Sequence, residues 1–376
     1  MASFNQARVS LLIVGAIYSC ACSGGAQGES QEELSENNAA SAQVEVTCSA
    51  GDEHFIDLGA LDPPDRLFNQ RATAINNHGT VVGTSGVLVP DKGIEPHAYR
   101  WKADTGMVDL GALDGVYSYA TSVNEAGEVA GSSSLPNQPG LHAVMWDAQN
   151  RIRDLGTLGG SFSDASGINN RGQVVGVSED ATGLYHAFIW DAKTGMVDMG
   201  PSERPGGPLI VSGINDFGVV VGTWASHGGP FKWTKEEGLT MLDLMGNNYG
   251  EATAINNLGE IVGFMYEGSC RPMALCTELA VKWTDCGSSR LARTPNQEFT
   301  VASGINDRGV VVGADFTYPN RIAIEWQSAT HVAPLPLGQF MSDASDVNDC
   351  GDVVGSFRTL LGDDHSFLWQ PARAGQ

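Results

Sequence analysis

One short motif occurs seven times in the sequence, and this repetition constrains the fold more than any other feature. The motif is a small apolar residue, two variable positions, Ile or Val, Asn, two positions, Gly, one position, an aliphatic residue, one position and Gly. The copies are Ala72–Gly83, Ala120–Gly131, Ala165–Gly176, Val211–Gly222, Ala252–Gly263, Ala302–Gly313 and Ala344–Gly355. Their asparagines are 48, 45, 46, 41, 50 and 42 residues apart. Periods of this length are typical of propellers and solenoids, whose single units cannot bury a core.

Two further elements repeat with the same period. The second element, HAFIW at His186–Trp190, recurs at His97–Trp101, His142–Trp146 and His365–Trp369, with weaker copies that end at Trp233, Trp283 and Trp326. The third element, MVDLGAL at Met107–Leu113, recurs at Ile152–Leu158, Met196–Gly200 and Met241–Gly246. An early copy of the third element, Phe55–Leu61, precedes the first motif. The repeats therefore begin with the third element and end with the second.

Each unit predicts four short strands, and the offset between the chain ends predicts how the units close. Asn and Gly in the motif predict a hairpin turn, because Asn accepts local backbone hydrogen bonds and Gly adopts a positive φ. The last unit lacks a fourth strand, and the copy at Phe55–Leu61 can supply it, which removes an exposed sheet edge. The sequence thus predicts an all-β fold, a single closed β-propeller with seven blades of four antiparallel strands over residues 48–376. The alternative is an open β-solenoid, for which the third element would not need a displaced copy before the first motif.

The N-terminal segment predicts export. A single Arg8 precedes an apolar run from Val9 to Tyr18 that is too short for a membrane-spanning helix, as in a signal peptide. The sequence IYSC resembles the lipobox of bacterial lipoproteins, which implies a signal peptide of residues 1–19 and lipidation at Cys20. The following residues 20–47 predict a flexible acidic tether, because they combine Glu with small polar residues. An ordinary cleaved signal with release into the periplasm or medium is the alternative to an outer-membrane or surface lipoprotein.

The repeats also resemble a bacterial family. The stretch HAFIWDAKTGMVDMG at His186–Gly200 is similar to the extracellular HAF repeats, named after His-Ala-Phe, and the resemblance covers about residues 55–370. It is weaker in blades four to six, where Gly229, Leu279 and Ile322 replace the His. The resemblance implies a secreted or surface-exposed propeller, and it implies no particular activity or catalytic residue set.

The net charge and the small number of basic residues limit the classes of molecule that this protein is expected to bind. The formal net charge is −23 with only 21 Lys and Arg, which disfavours nucleic acid, since phosphates are neutralised by clustered basic residues. An acidic surface also repels anionic lipids, so we expect membrane association only through the lipid anchor. The expected partner is a protein or carbohydrate at the cell surface, and the protein is expected to be a monomer.

The repeated polar and aromatic residues are expected to be structural. The histidines His97, His142, His186 and His365 stand at one equivalent position of different blades, so closure spreads them around the ring and does not gather them into one site. We expect each to be hydrogen-bonded within its own blade. The seven repeated Trp are expected to pack between blades, and the seven Asn to hold their turns.

Residues that differ between repeats are better candidates for a site, because function in rigid scaffolds lies on the connecting loops. An aromatic residue three or four positions before the small apolar residue occurs in every blade except the fourth, with a carboxylate near several of them. These combinations suit sugars or cations at a channel mouth; alternatively, the aromatics pack between blades and the acids are only solvated. The candidate ligand-binding residues are Arg71, Tyr117, Tyr119, Phe162, Asp164, Tyr249, Glu251 and Asp343, with Phe68, Phe299 and Phe340 as further aromatics. We expect Asp164, Glu251 and Asp343 to line one shared mouth.

The sequence lacks the motifs of nucleophile elbows, zinc peptidases and phosphate-binding loops, and it predicts no catalytic residues. A binding scaffold is therefore the preferred function. The alternative is a carbohydrate-active or lyase-type enzyme that uses two channel-mouth carboxylates. No cofactor or metal is predicted: Asp363-Asp364 and the segment 348–352 fall short of a calcium loop, although calcium remains compatible with the acidic composition.

Cysteine placement suits an oxidising compartment, where disulfides form. Cys350 lies in the turn of the seventh motif, and Cys48 precedes the strand that should complete the same blade at the same end, so we expect a Cys48–Cys350 disulfide. Cys270 and Cys276 are expected to pair locally and to leave Cys286 unpaired. A zinc site formed by these last three cysteines is the alternative.

Overall fold

The computed structural model describes Cys48 and residues 51–61, 70–136, 138–203, 209–224, 229–267, 277–295, 297–317, 320–338, 341–360 and 362–373. All of these residues fall within one compact unit, Ala42–Gln376. The predicted signal peptide, the tether, Cys20, Cys270, Cys276, Phe68 and Phe340 lie outside the described residues. Within the described ranges, no helix has the length and apolar character required to cross a membrane.

The described chain folds into 28 strands arranged as seven four-stranded antiparallel sheets. The first strand, β1 (His54–Asp57), belongs to the last sheet. Blade 1 consists of β2 (Arg71–Ile75), β3 (Val81–Val89), β4 (Gly93–Lys102) and β5 (Gly106–Asp109). Blade 2 consists of β6 (Ser118–Val123), β7 (Val129–Leu135), β8 (Gln138–Trp146) and β9 (Ile152–Asp154). Blade 3 consists of β10 (Gly159–Ile168), β11 (Val174–Asp180), β12 (Tyr185–Asp191) and β13 (Gly195–Glu203).

The remaining blades repeat this pattern. Blade 4 consists of β14 (Leu209–Ile214), β15 (Val220–Trp224), β16 (Gly229–Thr234) and β17 (Gly238–Met241). Blade 5 consists of β18 (Gly250–Ile255), β19 (Ile261–Tyr266), β20 (Glu278–Thr284) and β21 (Gly287–Arg290). Blade 6 consists of β22 (Phe299–Ile305), β23 (Val311–Thr317), β24 (Asn320–Ser328) and β25 (His331–Pro334). Blade 7 consists of β26 (Met341–Val347), β27 (Val353–Arg358), β28 (Asp364–Gln370) and β1.

The N-terminal strand closes the ring. β1 pairs antiparallel with β28, with Phe55 opposite Trp369, so the two ends of the repeat region complete one blade. A disulfide joins Cys48 to Cys350 beside this closure. The prediction of a closed seven-bladed propeller and the predicted Cys48–Cys350 bond are both confirmed. The open solenoid is wrong, because the pairing of β1 with β28 leaves no unpaired end blade.

The last Gly of the motif is required by close contact between two strands. The first strand of each blade, called here the inner strand, has a register shift after the small apolar residue, as between Ala165 and Gly167. At this bulge the backbone of the inner strand lies very close to the second strand of the blade. A Cβ on Gly176 would lie 2.0 Å from the Asp164 carbonyl oxygen. A Cβ added to each of the six equivalent glycines would lie 1.9–2.2 Å from the corresponding carbonyl oxygen or, in blade 7, 1.8 Å from it. No larger residue fits there without displacement of the backbone.

The hydrophobic core lies between blades. Seven clusters of buried side chains occur in the described chain, and each joins two neighbouring blades. One cluster combines Leu58 and Leu368 of blade 7 with Ala72 and Trp101 of blade 1. The indole of Trp146 also donates to Leu110 O of the preceding blade at 2.9 Å. The repeated Trp thus pack between blades, as the sequence predicts.

Candidate functional site

The propeller has two faces, and the polar side chains on the two faces have different partners. The turn face carries the seven Asn-x-x-Gly turns. The loop face carries the starts of the inner strands, the turns between the second and third strands, and the connections between blades. Every candidate ligand-binding residue from the sequence that the structure describes lies on or beside the loop face, one to three residues before the small apolar residue of an inner strand.

On the turn face, the seven motif asparagines form a closed ring of hydrogen bonds. Asn169 Oδ1 accepts from Arg171 N and Gln173 N within its own turn, while its Nδ2 donates to Asn215 O of the next blade at 3.0 Å. The same donation to the next blade runs through Asn76, Asn124, Asn169, Asn215, Asn256, Asn306, Asn348 and back to Asn76. The expected structural role of these asparagines is confirmed.

The residues that follow the asparagines form a second closed ring. In each blade the backbone N–H of this residue donates to the side chain of its counterpart in the next blade, as Asp307 N does to Asp349 Oδ1 at 2.9 Å. The ring contains Asn77, Glu125, Asn170, Asp216, Asn257, Asp307 and Asp349. Burial, reinforced by the neighbouring carboxylates, raises the pKa of Asp307 and of Glu125. In the described part of the chain, no group of three or more His, Cys, Asp or Glu side chains is arranged to hold a metal ion.

The repeated histidines contact carboxylates of their own blades. His97 Nδ1 lies 2.9 Å from Asp109 Oδ2, and His142 Nδ1 lies 3.0 Å from Asp154 Oδ1. His186 and His365 contact Asp198 and Asp57 in the same way. The hydrogen bond to Asp109 raises the pKa of His97, against the opposing effect of burial. The structural role expected for these histidines is confirmed.

On the loop face, three of the candidate aromatics contact a second aromatic ring in their own blade. Phe162 lies 5.4 Å from Tyr185 and Tyr249 lies 5.3 Å from Tyr266, measured between ring centroids. Phe299 stacks on Phe316 at 5.0 Å. These pairs differ from the inter-blade packing considered as an alternative, because each ring finds its partner on the second or third strand of the same blade.

The three candidate carboxylates have different surroundings. Asp164 is hydrogen-bonded to Ser132 of blade 2, and burial raises its pKa. Glu251 accepts from Tyr249 Oη at 2.8 Å. Asp343 forms an ion pair with Arg321 of blade 6. A single mouth shared by these three acids stays a prediction, since none of these contacts joins one of them to another.

Tyr117 and Tyr119 lie beside these groups in blade 2. Tyr119 is 36% exposed, and its pKa is raised by burial, with further contributions from Tyr117, Glu95 and Asp164. Asp164 of blade 3 is among the groups whose charge contributes to the raised pKa of Tyr119. Glu95 of blade 1, Tyr117 and Tyr119 of blade 2, and Asp164 of blade 3 thus bring carboxyl and phenol groups to this part of the loop face.

A cavity of about 390 Å³ opens on the loop face over blade 7. Side chains from three blades enclose it: Gln70 and Arg71 of blade 1, Arg321 of blade 6, and Met341, Asp343, Ser356, Phe357, Arg358 and Asp364 of blade 7. Two of the sequence candidates, Arg71 and Asp343, meet here. Burial raises the pKa of Asp343, while Arg321 and Arg71 oppose this rise.

Ion pairs hold two of the three guanidinium groups in this cavity. Arg358 donates to both oxygens of Asp364, at 2.7 and 2.8 Å. Arg321 pairs with Asp343. Arg71 is exposed and forms no ion pair within 4 Å of any residue that the structure describes, although its charge acts on Asp343.

Sequence reasoning missed Arg321, Arg358 and Asp364. The available signal was the scarcity of basic residues: with only 21 Lys and Arg in 376 residues, arginines near the loop-face ends of strands in adjacent blades 6, 7 and 1 stand out. Asp364 was considered only as part of an incomplete calcium motif.

The expectation for Cys286 is wrong. Cys286 is disulfide-bonded, so it is not the unpaired cysteine, and it does not offer the free thiolate that the zinc alternative needs. Its partner is not among the described cysteines, since Cys48 and Cys350 bond to each other. The predicted pairing of Cys270 with Cys276 lies outside the described residues.

Comparison with known proteins supports the fold alone. No family model and no curated protein matches the sequence. The β-propeller domain of the trilobed protease from Pyrococcus furiosus, which has an open velcro topology, is similar with a TM-score of 0.56 at 10% identity, over 81% of this chain and 93% of that one. Virginiamycin B lyase from Staphylococcus aureus is similar with a TM-score of 0.54 at 10% identity, over 84% of this chain and 98% of that one. Identities this low indicate a shared architecture and carry no activity across.

Proposed function

We propose that this protein is an exported, lipid-anchored binding scaffold of the bacterial cell envelope, whose loop face binds a protein or carbohydrate ligand. One observation supports this most: the loop face combines a cavity with aromatic and charged side chains that differ from blade to blade. On the turn face, by contrast, the equivalent polar groups bind one another around the ring. Rigid scaffolds bind through variable loop residues of this kind.

The proposal includes an anchor at Cys20. Its support is the lipobox-like IYSC sequence followed by an acidic stretch that can serve as a tether. Mass spectrometry of the mature N-terminus tests this. A diacylglycerol-modified Cys20 is expected, and an unmodified N-terminus at another residue would replace the anchor with soluble release.

Binding accounts for the cavity better than turnover does. The enzyme alternative needs two carboxylates free to exchange protons or attack substrate. Asp364 is held through both oxygens by Arg358, and Asp343 is held by Arg321. Paired in this way, the carboxylates orient the arginines, which is the arrangement of a binding site. The lyase architecture among the structural neighbours does not change this, because it is shared at the level of fold.

The experiment is a glycan array together with a surface-protein pull-down, carried out on disulfide-bonded protein with and without calcium. We expect a specific ligand whose capture is lost in Tyr117→Ala, Phe162→Ala, Asp164→Asn or Tyr249→Ala, all on the loop face. Arg171→Gln on the turn face is the matched control and should bind normally. Capture that survives every loop-face substitution would overturn the proposal, and release of altered ligand would favour the enzyme alternative.

A further inference from the structure

The lining of the cavity over blade 7 is positively charged, although the protein as a whole is acidic. Three arginines and two aspartates line it, so the lining carries one excess positive charge within a protein of net charge −23. Arg321 and Arg358 are each neutralised by an aspartate. Arg71 supplies the excess charge, since it lies at the rim without an ion pair among the described residues.

This arrangement matches a ligand with a single negative charge. A guanidinium group recognises a carboxylate through two parallel hydrogen bonds. A phosphate monoester carries up to two charges and would need a second unpaired cation, whereas Arg321 and Arg358 are already engaged. One carboxylate therefore completes the charge balance of the cavity.

The other lining groups match a sugar ring. Met341, which is 39% exposed, gives an apolar wall, and the largely buried Phe357 forms part of the floor. Ser356 and Gln70 offer neutral donors and acceptors, and the two aspartates offer acceptors for hydroxyl groups. Mixed donors and acceptors around a small apolar surface suit vicinal hydroxyls and a C–H face. A short acidic peptide side chain would leave these hydroxyl-binding groups without partners.

Resting on the proposed function, we infer that this cavity binds one hexuronate unit of an acidic polysaccharide, with its carboxylate on Arg71. The volume of about 390 Å³ lies near the lower end of small-ligand pockets, about 300–1,000 Å³, and suits a single small unit at the rim of a longer chain. Arg321 and Arg358, held in place by their aspartates, are positioned to contact hydroxyl or ring oxygens.

The test is calorimetric titration of the purified, disulfide-bonded protein with trigalacturonate. Galactotriose is the neutral comparison, and an acidic tripeptide of glutamates is the peptide comparison. We expect trigalacturonate to bind and Arg71→Gln to weaken its binding about 10- to 100-fold, as expected for loss of a charged hydrogen-bond partner. Arg71→Lys should lose less. Arg171→Gln, which removes the same charge from the turn face, should leave affinity unchanged.

Three outcomes would overturn the inference: no binding of trigalacturonate by the unaltered protein, equal binding of galactotriose, or preferential binding of the glutamate peptide. Unaltered affinity in Arg71→Gln would also contradict it. These failures are distinguishable from failure of the proposed function. If a ligand from the array still depends on Tyr249 or Phe162 while trigalacturonate does not bind, the loop face functions as proposed and only the hexuronate assignment is wrong.

Discussion

The two faces of this propeller are made from the same repeats and have different chemistry. On the turn face, Asn169 and its six equivalents hold their own turns and the next blade at once, so the polar groups there are mutually satisfied. On the loop face, the residue just before the small apolar residue of the inner strand is Arg71 in blade 1, Asp164 in blade 3 and Glu251 in blade 5. The difference shows that residues repeated in every blade build the ring, whereas residues that vary are available for a ligand.

The largest loss of stability is expected at the last Gly of the motif, where the neighbouring backbone leaves no space for a side chain. Gly176→Ala would place a Cβ 2.0 Å from the Asp164 carbonyl oxygen and 2.9 Å from Ala165 Cα. We expect a loss of about 4 kcal/mol in the free energy of unfolding, at the upper end of overpacking costs. Gly213→Ala is the control, because its Cβ would meet no atom within 4 Å. Denaturant unfolding measures both, and equal midpoints would contradict the close contact described for the bulge.

The second effect concerns the closure of the ring at the turn face. The Cys48–Cys350 disulfide spans 302 residues and joins the N-terminal segment to blade 7. Replacement of both cysteines by Ala should lower the free energy of unfolding by about 2–4 kcal/mol. Ligand capture by the loop face of the folded variant should be unchanged. A loss of capture in the folded variant would show that the faces are not independent.

Substituting one residue on each face compares directly how much the two faces contribute to stability. Asn169→Ala removes two acceptor bonds in the turn and two donor bonds of Nδ2, one to Asn215 O of blade 4 and one to Gln173 Oε1. It should cost about 2–3 kcal/mol of stability, since the Asn215 carbonyl left behind is buried. Asn169→Asp keeps an acceptor oxygen for the turn but loses both Nδ2 donor bonds and places a carboxylate beside Asn215 O and Gln173 Oε1, so it separates the acceptor bonds from the donor bonds. Arg71→Gln on the loop face should change stability by less than about 0.5 kcal/mol. Thermal unfolding of the three variants measures this, and a comparable loss in Arg71→Gln would break the contrast.

A further effect depends on pH. Asp346 in β26 accepts from Ile75 N of blade 1 at 3.0 Å, and burial raises its pKa to about 7. The folded protein then binds this proton more tightly than the unfolded chain, so the contribution of Asp346 to stability falls as the pH rises from about 4 to about 7. Asp346→Asn, which stays neutral, should flatten this part of the stability profile. Parallel profiles of the two proteins between pH 4 and pH 8 would contradict the raised pKa.

The architecture was predictable from the sequence because the same sequence elements occur in every blade. Seven copies of the motif and one displaced copy of the third element predict the blade number and the pairing of β1 with β28. The Cys48–Cys350 bond followed from the same placement. One regular feature was overlooked: a hydroxyl residue follows the small apolar residue in all seven motifs. In blade 1 this residue, Thr73, donates to Ala120 O of the next blade at 2.9 Å.

The cavity was not predictable in the same way, because its residues are not repeated and are distant in sequence. Arg71 and Asp343 are 272 positions apart and meet only through ring closure. The engagement of Arg321 with Asp343, which leaves Arg71 without an ion pair among the described residues, depends on side-chain geometry between two blades. Likewise, the aromatic partner of Phe162, Tyr185, lies on the third strand of its blade, at a position that the motif does not mark.

The central claim is that the loop face binds ligand while the turn face holds the ring together. The most direct measurement is capture of the array ligand by two variants of matched stability, Tyr249→Ala on the loop face and Arg171→Gln on the turn face. We predict that Tyr249→Ala loses capture by at least about tenfold and that Arg171→Gln captures like the unaltered protein. Loss of capture in Arg171→Gln with normal capture in Tyr249→Ala would contradict the claim.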